Sequence, residues 1–376
     1  MIMVDSPKKI VINATSVVQG GALTILHQFL GSIKEYDPIN KYFLITSLQS
    51  DRFDTLLNVS ILKTDRQSWI ERLYWDFIGF RLFCKKLELV PDIIISFQNT
   101  AVRFPSIPQI VYFHQNLALF KHKWSIFNRR ERVMFFYSNF YIFFVRRYIN
   151  SNTKFVVQLE STRQICISKL KINSDQIVVV KPDISIVRKP DLFANGFSDT
   201  TINLFYPSYD YPYKNHKIII QALALLKKRN YISYSKLNIF FTLNKEESAW
   251  ILSLIKKYDV EHAITFVGKL SYKEVIKLYA TSDALVFPSF IESFGLPLLE
   301  AAQFGLPIIV SDLPYSREVL QGYEGSVFVN YDDALGWSNS IEKVTKRERF
   351  NPLNIVEGQN SWQSFHEVIK KAVVDV

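Results

Sequence analysis

The sequence predicts an α/β protein of two successive domains, each a parallel sheet covered by helices. Three observations carry that reading. Short, uniformly apolar runs alternate with longer stretches of helical periodicity along most of the chain, the pattern of repeated strand–helix–strand units. The alternation breaks between Lys181 and Thr201, where KPDISIVRKPDLFANGFSDTT carries two prolines and several turn formers, and then resumes. A length of 376 residues exceeds the usual single core, and 48% apolar composition is enough to fill two.

In the first half, strands are expected at Lys9–Asn13, Tyr42–Thr46, Asp92–Phe97, Gln109–Phe113, Lys154–Gln158 and Ile177–Val180. Their continuous rather than alternating apolar character fits strands buried on both faces. After the first comes Gln19-Gly20-Gly21-Ala22-Leu23, a glycine pair opening a helix. Such a pair either lets the backbone approach a ligand or simply makes a tight turn. The full G-x-G-x-x-G fingerprint is absent, so NAD is not expected. His114 follows Ile110-Val111-Tyr112-Phe113 and therefore sits at the carboxyl end of a strand, where open α/β sheets bind ligands. A structural role is its other reading.

Between Lys121 and Arg147 lies KHKWSIFNRRERVMFFYSNFYIFFVRR. Its apolar core, Val133 to Val145, is shorter than the ~20 residues of a spanning helix and contains Ser138 and Asn139. Arg129, Arg130 and Arg132 precede that core, and Arg146 and Arg147 follow it. The segment is either an interfacial helix that docks on anionic lipid or a core-facing helix with solvated basic ends.

In the second half, strands are expected near Ile202–Tyr206, Leu237–Thr242, Ile264–Val267, Ala284–Phe287 and Pro307–Val310. Helices fall at Asn215–Lys228, Glu246–Tyr258 and Tyr272–Thr281. The chain closes with an amphipathic pattern over Ser361–Val373, carried by Trp362, Phe365, Val368, Ile369 and Ala372.

Net charge is +10, with 30 Phe and 19 Tyr. A basic, aromatic-rich surface points to a polyanion, whether nucleic acid, an acidic membrane face or a phosphorylated small ligand. The two cysteines, Cys84 and Cys166, build no disulfide framework and fit a reducing compartment. Met1 to Lys9 is polar and reads as no secretory signal, so a cytoplasmic protein is expected and the sequons at Asn13 and Asn58 carry no meaning.

The chemistry gathers in Phe287–Asp312, FPSFIESFGLPLLEAAQFGLPIIVSD. Glycine followed by proline sets up a helix start with free N–H groups, which suits phosphate or a polyhydroxylated ligand. With a helix from about Pro297 to before Gly305, Glu292 lies in the preceding loop and Glu300 about one turn inside. The two carboxylates then share no proton and hold different parts of one extended ligand. Their alternative is a pair of surface glutamates favoured by the helix start. The strand at 202–206 leads to Lys214, just before a helix and either placed to meet a phosphate or simply a solvated surface lysine, and that at 264–267 leads to Gly268-Lys269-Leu270.

Lys214-Asn215-His216, Phe266-Val267-Gly268, Ser282-Asp283-Ala284, Phe287-Pro288-Ser289 and Glu292-Ser-Phe-Gly-Leu-Pro-Leu-Leu-Glu300-Ala301 together resemble a large glycosyltransferase family. It is the retaining, nucleotide-sugar-dependent group 1 family with the GT-B fold, and the match runs from about Ile202 to Val329. The resemblance implies two Rossmann-like domains facing across a cleft, residues 1–183 and 184–357, with a C-terminal helix, 358–376, crossing back to the first. It implies that Glu300 holds the ribose, while Glu292 and the backbone at Ser293, Phe294, Gly295 and Leu296 hold the donor sugar. Lys214 would neutralise the diphosphate, and the Gly268 turn with Lys269 would lie by the nucleotide. Gly20 and Gly21 would approach the phosphates, and His114 would contact the sugar near its reacting carbon.

One departure stands out. The family pairs its phosphate lysine with an arginine five or six residues earlier, where this chain has Tyr209 and Ser208. Lys269 or the hydroxyls from Tyr209 to Tyr213 are the candidates to replace that bidentate clamp. The implied reaction is transfer of a hexosyl group from a UDP- or GDP-sugar to a lipid-linked or saccharide acceptor, as in O-antigen or capsule assembly. It needs no metal, and nucleic acid is not an expected partner. Peripheral attachment to the inner membrane face, through Lys121–Arg147, would bring enzyme to acceptor. The rival readings are a sugar-nucleotide epimerase of the same fold and a non-enzymatic basic protein that binds lipid or nucleic acid.

Overall fold

A computed structural model describes residues 6–374 apart from 55, 66, 67, 185–199, 230–233, 345, 347 and 354–360. The chain divides into two units, Met1–Asp183 with Gly358–Val376, and Ile184–Glu357. Most of the segment read as a linker, 185–199, lies outside the described residues.

The first unit runs β1 (Lys9–Asn13), α1 (Gly20–Tyr36), β2 (Lys41–Thr46), β3 (Val59–Lys63), α2 (Trp69–Tyr74), a π turn (Trp75–Gly79), α3 (Phe80–Lys86), β4 (Ile93–Ser96), β5 (Gln109–Tyr112), α4 (Arg132–Arg146), β6 (Thr153–Val157), α5 (Glu160–Ile165) and β7 (Ile177–Val179). Its seven strands are all parallel, in the order β3-β2-β1-β4-β5-β6-β7, with Val11 opposite Ile94. The central strands are buried along nearly their whole length, which is why they read as unbroken apolar runs. Chain order reverses between β1 and β4, and the carboxyl ends at such a switch point form a crevice.

The second unit runs β8 (Ile202–Tyr206), α6 (His216–Lys228), β9 (Leu237–Phe241), α7 (Ala249–Tyr258), β10 (Ile264–Phe266), α8 (Tyr272–Thr281), β11 (Ala284–Phe287), α9 (Leu296–Gln303), β12 (Ile308–Ser311), α10 (Pro314–Val319), β13 (Ser326–Val329) and α11 (Ala334–Glu342). Its sheet is parallel as well, ordered β10-β9-β8-β11-β12-β13, with the switch point between β8 and β11. Helix α7 begins three residues later than the expected Glu246. Residues 244–248 turn instead, with Glu247 N donating to Asn244 O at 3.2 Å and Ser248 N to Lys245 O at 3.2 Å. The unforeseen strands, β3 and β13, are both sheet edges whose residues are mostly half-exposed, so neither shows a buried-strand run.

The chain ends in α12 (Ser361–Val374), which packs into the core of the first unit rather than the second. Trp362, Phe365 and Ile369 are buried there, with the Phe365 and Trp362 rings 5.1 and 5.7 Å from Phe29. Each such side chain contributes about 1.5–3 kcal/mol by burial, enough to hold a lone terminal helix. Among the described residues, no helix is long and apolar enough to cross a membrane.

Candidate active site

In the second unit, the loops after β8 and β11 are stitched to each other by backbone and side-chain bonds. Phe290 N donates to Tyr213 O at 3.0 Å. Asn215, in the left-handed region at φ 59°, donates its amide to Tyr331 O at 2.7 Å and to Pro288 O at 3.4 Å. Tyr206 OH donates to Lys214 O. The stitching brings Lys214 Nζ to 2.5 Å from Glu292 Oε1, with the two side chains only 14% and 13% exposed. A mostly desolvated ion pair is therefore present where the sequence placed a phosphate-binding cation and a sugar-binding carboxylate. Burial, and then the Glu292 charge, push the hydroxyls of Tyr213 and Tyr315 upward, so both stay neutral donors.

Gly295 takes φ 95°, which a side chain tolerates poorly, and caps α9 with Pro297 in the first turn. That first turn has no acidic residue and Gly295 offers no side-chain cap, but fewer amides are open than the sequence suggests, since Pro297 carries no N–H and Leu298 N donates to Gly295 O at 2.9 Å. Phe294 is buried, while Ser293 and Leu296 are half-buried. Glu300 lies one turn inside α9 and accepts a hydrogen bond from Tyr279 OH of α8 at 2.9 Å. Burial pushes its carboxyl upward, and the tyrosine bond partly offsets that. The glutamates thus have separate partners, lysine for one and tyrosine for the other.

Gly268 also takes a positive φ, 73°, and donates its N–H to Leu243 O at 3.1 Å. Lys269 is 69% exposed and its Nζ lies 3.8 Å from Glu247 Oε2. Where an arginine was expected, Tyr209 is exposed, and Tyr211 stacks on Tyr213 with centroids 5.3 Å apart. His216, next to the lysine, is buried with Nε2 2.9 Å from Ser208 Oγ, a structural tie for the loop.

In the first unit, Gly20 opens α1 at φ 69°. A Cβ built on Gly21 would meet nothing within 4 Å, so its backbone faces open space. His114 N donates to Asn99 Oδ1 at 2.7 Å. Burial, and then the nearby Arg72 cation, depress its imidazole to about 4, leaving a neutral ring at pH 7. Arg72 donates to Gln98 O and to Tyr141 OH, the latter at 3.0 Å. Sequence reasoning missed Arg72, Asn99 and Tyr279, because none lies in a motif and each acts through a distant partner. Among the described residues, no three of His, Cys, Asp and Glu gather to hold a metal ion.

Residues 187–371 match the sequence model of the family described as glycosyl transferases group 1. Over 108 residues the chain is 33% identical to the O-antigen chain mannosyltransferase RfbU of Salmonella typhimurium, covering 28% of this chain and 30% of that relative. It thus spans under a third of that relative's length. Two solved structures share the fold at 14% identity. The lipopolysaccharide-biosynthesis glycosyltransferase WaaG has a TM-score of 0.64, covering 97% of this chain and 90% of its own. Anabaena HepE, solved in complex with UDP and glucose, has a TM-score of 0.60, covering 98% and 95%.

Proposed function

We propose, from the premise that residues 187–371 belong to the group 1 glycosyl transferases, that this protein is a retaining glycosyltransferase. It moves one hexosyl group from a UDP- or GDP-sugar to a lipid-linked or saccharide acceptor in surface-polysaccharide assembly. The observation that carries the reading is the Lys214–Glu292 pair, set ahead of an uncapped helix start with Glu300 one turn inside. The same fold in HepE, a protein solved with UDP and glucose, supports a nucleotide-sugar donor.

The roles follow from charge. As the bond from the anomeric carbon to phosphate breaks, positive charge builds on the sugar and negative charge on the diphosphate. Lys214 exchanges its carboxylate partner for the departing phosphate, and the α9 amides add their donors. Glu292, released from Lys214, takes hydroxyls of the donor sugar, and Glu300 takes the ribose with Tyr279 holding it in place. The acceptor hydroxyl attacks on the face the phosphate leaves, and its proton passes to that phosphate, so no metal or enzymic nucleophile takes part. Gly20, Gly21 and the neutral His114 are assigned to the donor's phosphates and sugar from the first unit.

Docking at an anionic membrane through residues 121–147 completes the proposal and puts the enzyme at the cytoplasmic face. Phe136, Phe140 and Phe143 of α4 are exposed between arginines, as interfacial anchoring requires. The test is hydrolysis and transfer across a panel of UDP- and GDP-sugars. Glu292→Ala and Lys214→Ala should each cut turnover by about 100-fold or more, and wild-type turnover in either would refute these roles. Epimerised nucleotide-sugar formed without an acceptor would identify the rival activity. Flotation with phosphatidylglycerol vesicles at low salt checks the docking, and no binding there would reject it.

A further inference from the structure

We propose that Asn99 is a positioning residue for His114. Its side-chain amide holds the imidazole in the tautomer protonated at Nδ1, which leaves Nε2 to accept from a hydroxyl of the donor sugar. The sugar contact rests on the transferase reading above; the tautomer is argued from the first unit alone.

Asn99 follows β4 at the carboxyl end of the sheet and takes φ 65°. Few side chains other than asparagine and aspartate tolerate that left-handed backbone. The residue is buried, and the chain is tied on both sides of it. Gln98 O accepts from Arg72 and, at 3.2 Å, from Tyr141 OH. Ser96 Oγ donates to Thr100 O at 2.7 Å, and Thr100 Oγ1 donates to Asp76 Oδ2 at 2.6 Å. A left-handed asparagine held this firmly points to a task for its side chain.

The two ends of that amide can be told apart. One accepts from His114 N at 2.7 Å, which only the oxygen can do. The nitrogen is therefore the atom 3.5 Å from His114 Nε2. An amide NH2 only donates, so a proton on Nε2 would set two donors against each other. The ring proton belongs on Nδ1 instead, since the partner of one ring nitrogen fixes the state of the other. The Tyr112 backbone favours a proton on the ring, and the Arg72 cation of α2 opposes a second one. At 3.5 Å the Asn99 amide is at the outer limit of a hydrogen bond, so Nε2 still gains from a closer donor. His114 is half-buried, which keeps part of the ring accessible. A sugar hydroxyl donates to such a nitrogen. As positive charge builds on the sugar, a lone pair beside it is favourable and an N–H or an imidazolium is not.

The experiment is a long-range proton–nitrogen NMR spectrum of the full chain carrying isotope-labelled histidine at pH 7. Loss of signals in His114→Gln assigns the ring. In wild type, Nε2 should show the shift of an unprotonated nitrogen and Nδ1 that of a protonated one. Asn99→Asp keeps an oxygen for the His114 N–H and suits the left-handed backbone, but it puts an acceptor where the amide donor was. It should move the proton to Nε2 and lower kcat for donor hydrolysis and transfer about ten-fold. Inhibition by UDP or GDP, which lack the sugar, should stay unchanged. Should Asn99→Asp fold poorly, the wild-type spectrum decides the tautomer without it. A protonated Nε2 in wild type, or an unmoved proton in Asn99→Asp, would overturn the assignment. A moved proton with wild-type kcat would overturn its part in the reaction. A proton on Nδ1 in a protein that turns over no nucleotide-sugar would uphold the Asn99–His114 pairing and remove only the transferase.

Discussion

Replacing Lys214 alone should damage the second unit more than replacing both members of its ion pair. At 2.5 Å, two unit charges attract by roughly 7 kcal/mol at an effective dielectric near 20, before desolvation is subtracted. Both side chains are about nine-tenths buried or close to it, at 14% and 13% exposure, so Lys214→Met strands a charged Glu292 among tyrosines. Removing one partner of such a pair costs about 3–5 kcal/mol, whereas removing both charges is often nearly neutral. The double variant Lys214→Met/Glu292→Gln should therefore recover about 2 kcal/mol or more of what Lys214→Met alone loses. Urea unfolding of wild type, both single variants and the double variant closes the cycle. Donor turnover, read on the same four proteins, should move differently. Each single variant should lose about 100- to 1,000-fold, and the double should recover nothing, because a stable site without its cation still cannot neutralise the leaving phosphate. Additive stability effects would refute the pairing, and restored turnover in the double variant would refute the catalytic role of Lys214.

Three further outcomes are expected. Gly21→Ala should leave stability unchanged or raise it by up to about 1 kcal/mol in urea, since a Cβ there meets nothing within 4 Å, yet lower donor kcat/KM if the backbone approaches phosphate. Tyr279→Phe strips Glu300 of its 2.9 Å donor; it should cost about 1 kcal/mol and weaken nucleotide binding in a thermal-shift titration. The third outcome concerns acid. His114 and His366 of the first unit are both depressed to about 4, chiefly by burial. The unfolded chain takes up those protons first, so stability is lost as pH falls from about 6.5 to 4, by up to about 3 kcal/mol for each histidine. Asp76, raised to about 6, works in the opposite direction and offsets about one of them. His366→Gln should flatten the fall, and an unchanged pH slope in that variant would count against the buried neutral ring.

Much of the fold was legible because parallel strands are buried on both faces and so announce themselves as apolar runs. Helix α8 was found at its true bounds, Tyr272–Thr281, and Ser271 with Glu274 forms a reciprocal cap that stops it at its first residue. Edge strands β3 and β13 were missed because exposure dilutes the signal. For α4, composition supplied the phenylalanines, and only packing decided which of them face outward.

By itself, the sequence determined the α/β class, the positions of most strands along the chain, and which residues follow strand ends, Lys214, Gly268 and Glu292 in loops and Glu300 inside the next helix. These depend on local periodicity and turn chemistry, which a chain carries in adjacent positions. Only the tertiary structure decided that Lys214 meets Glu292 across 78 positions, that Tyr279 serves Glu300, and that Asn99 turns its amide to His114. Such contacts follow from sheet order and helix packing. Neither is written in the spacing of neighbouring residues.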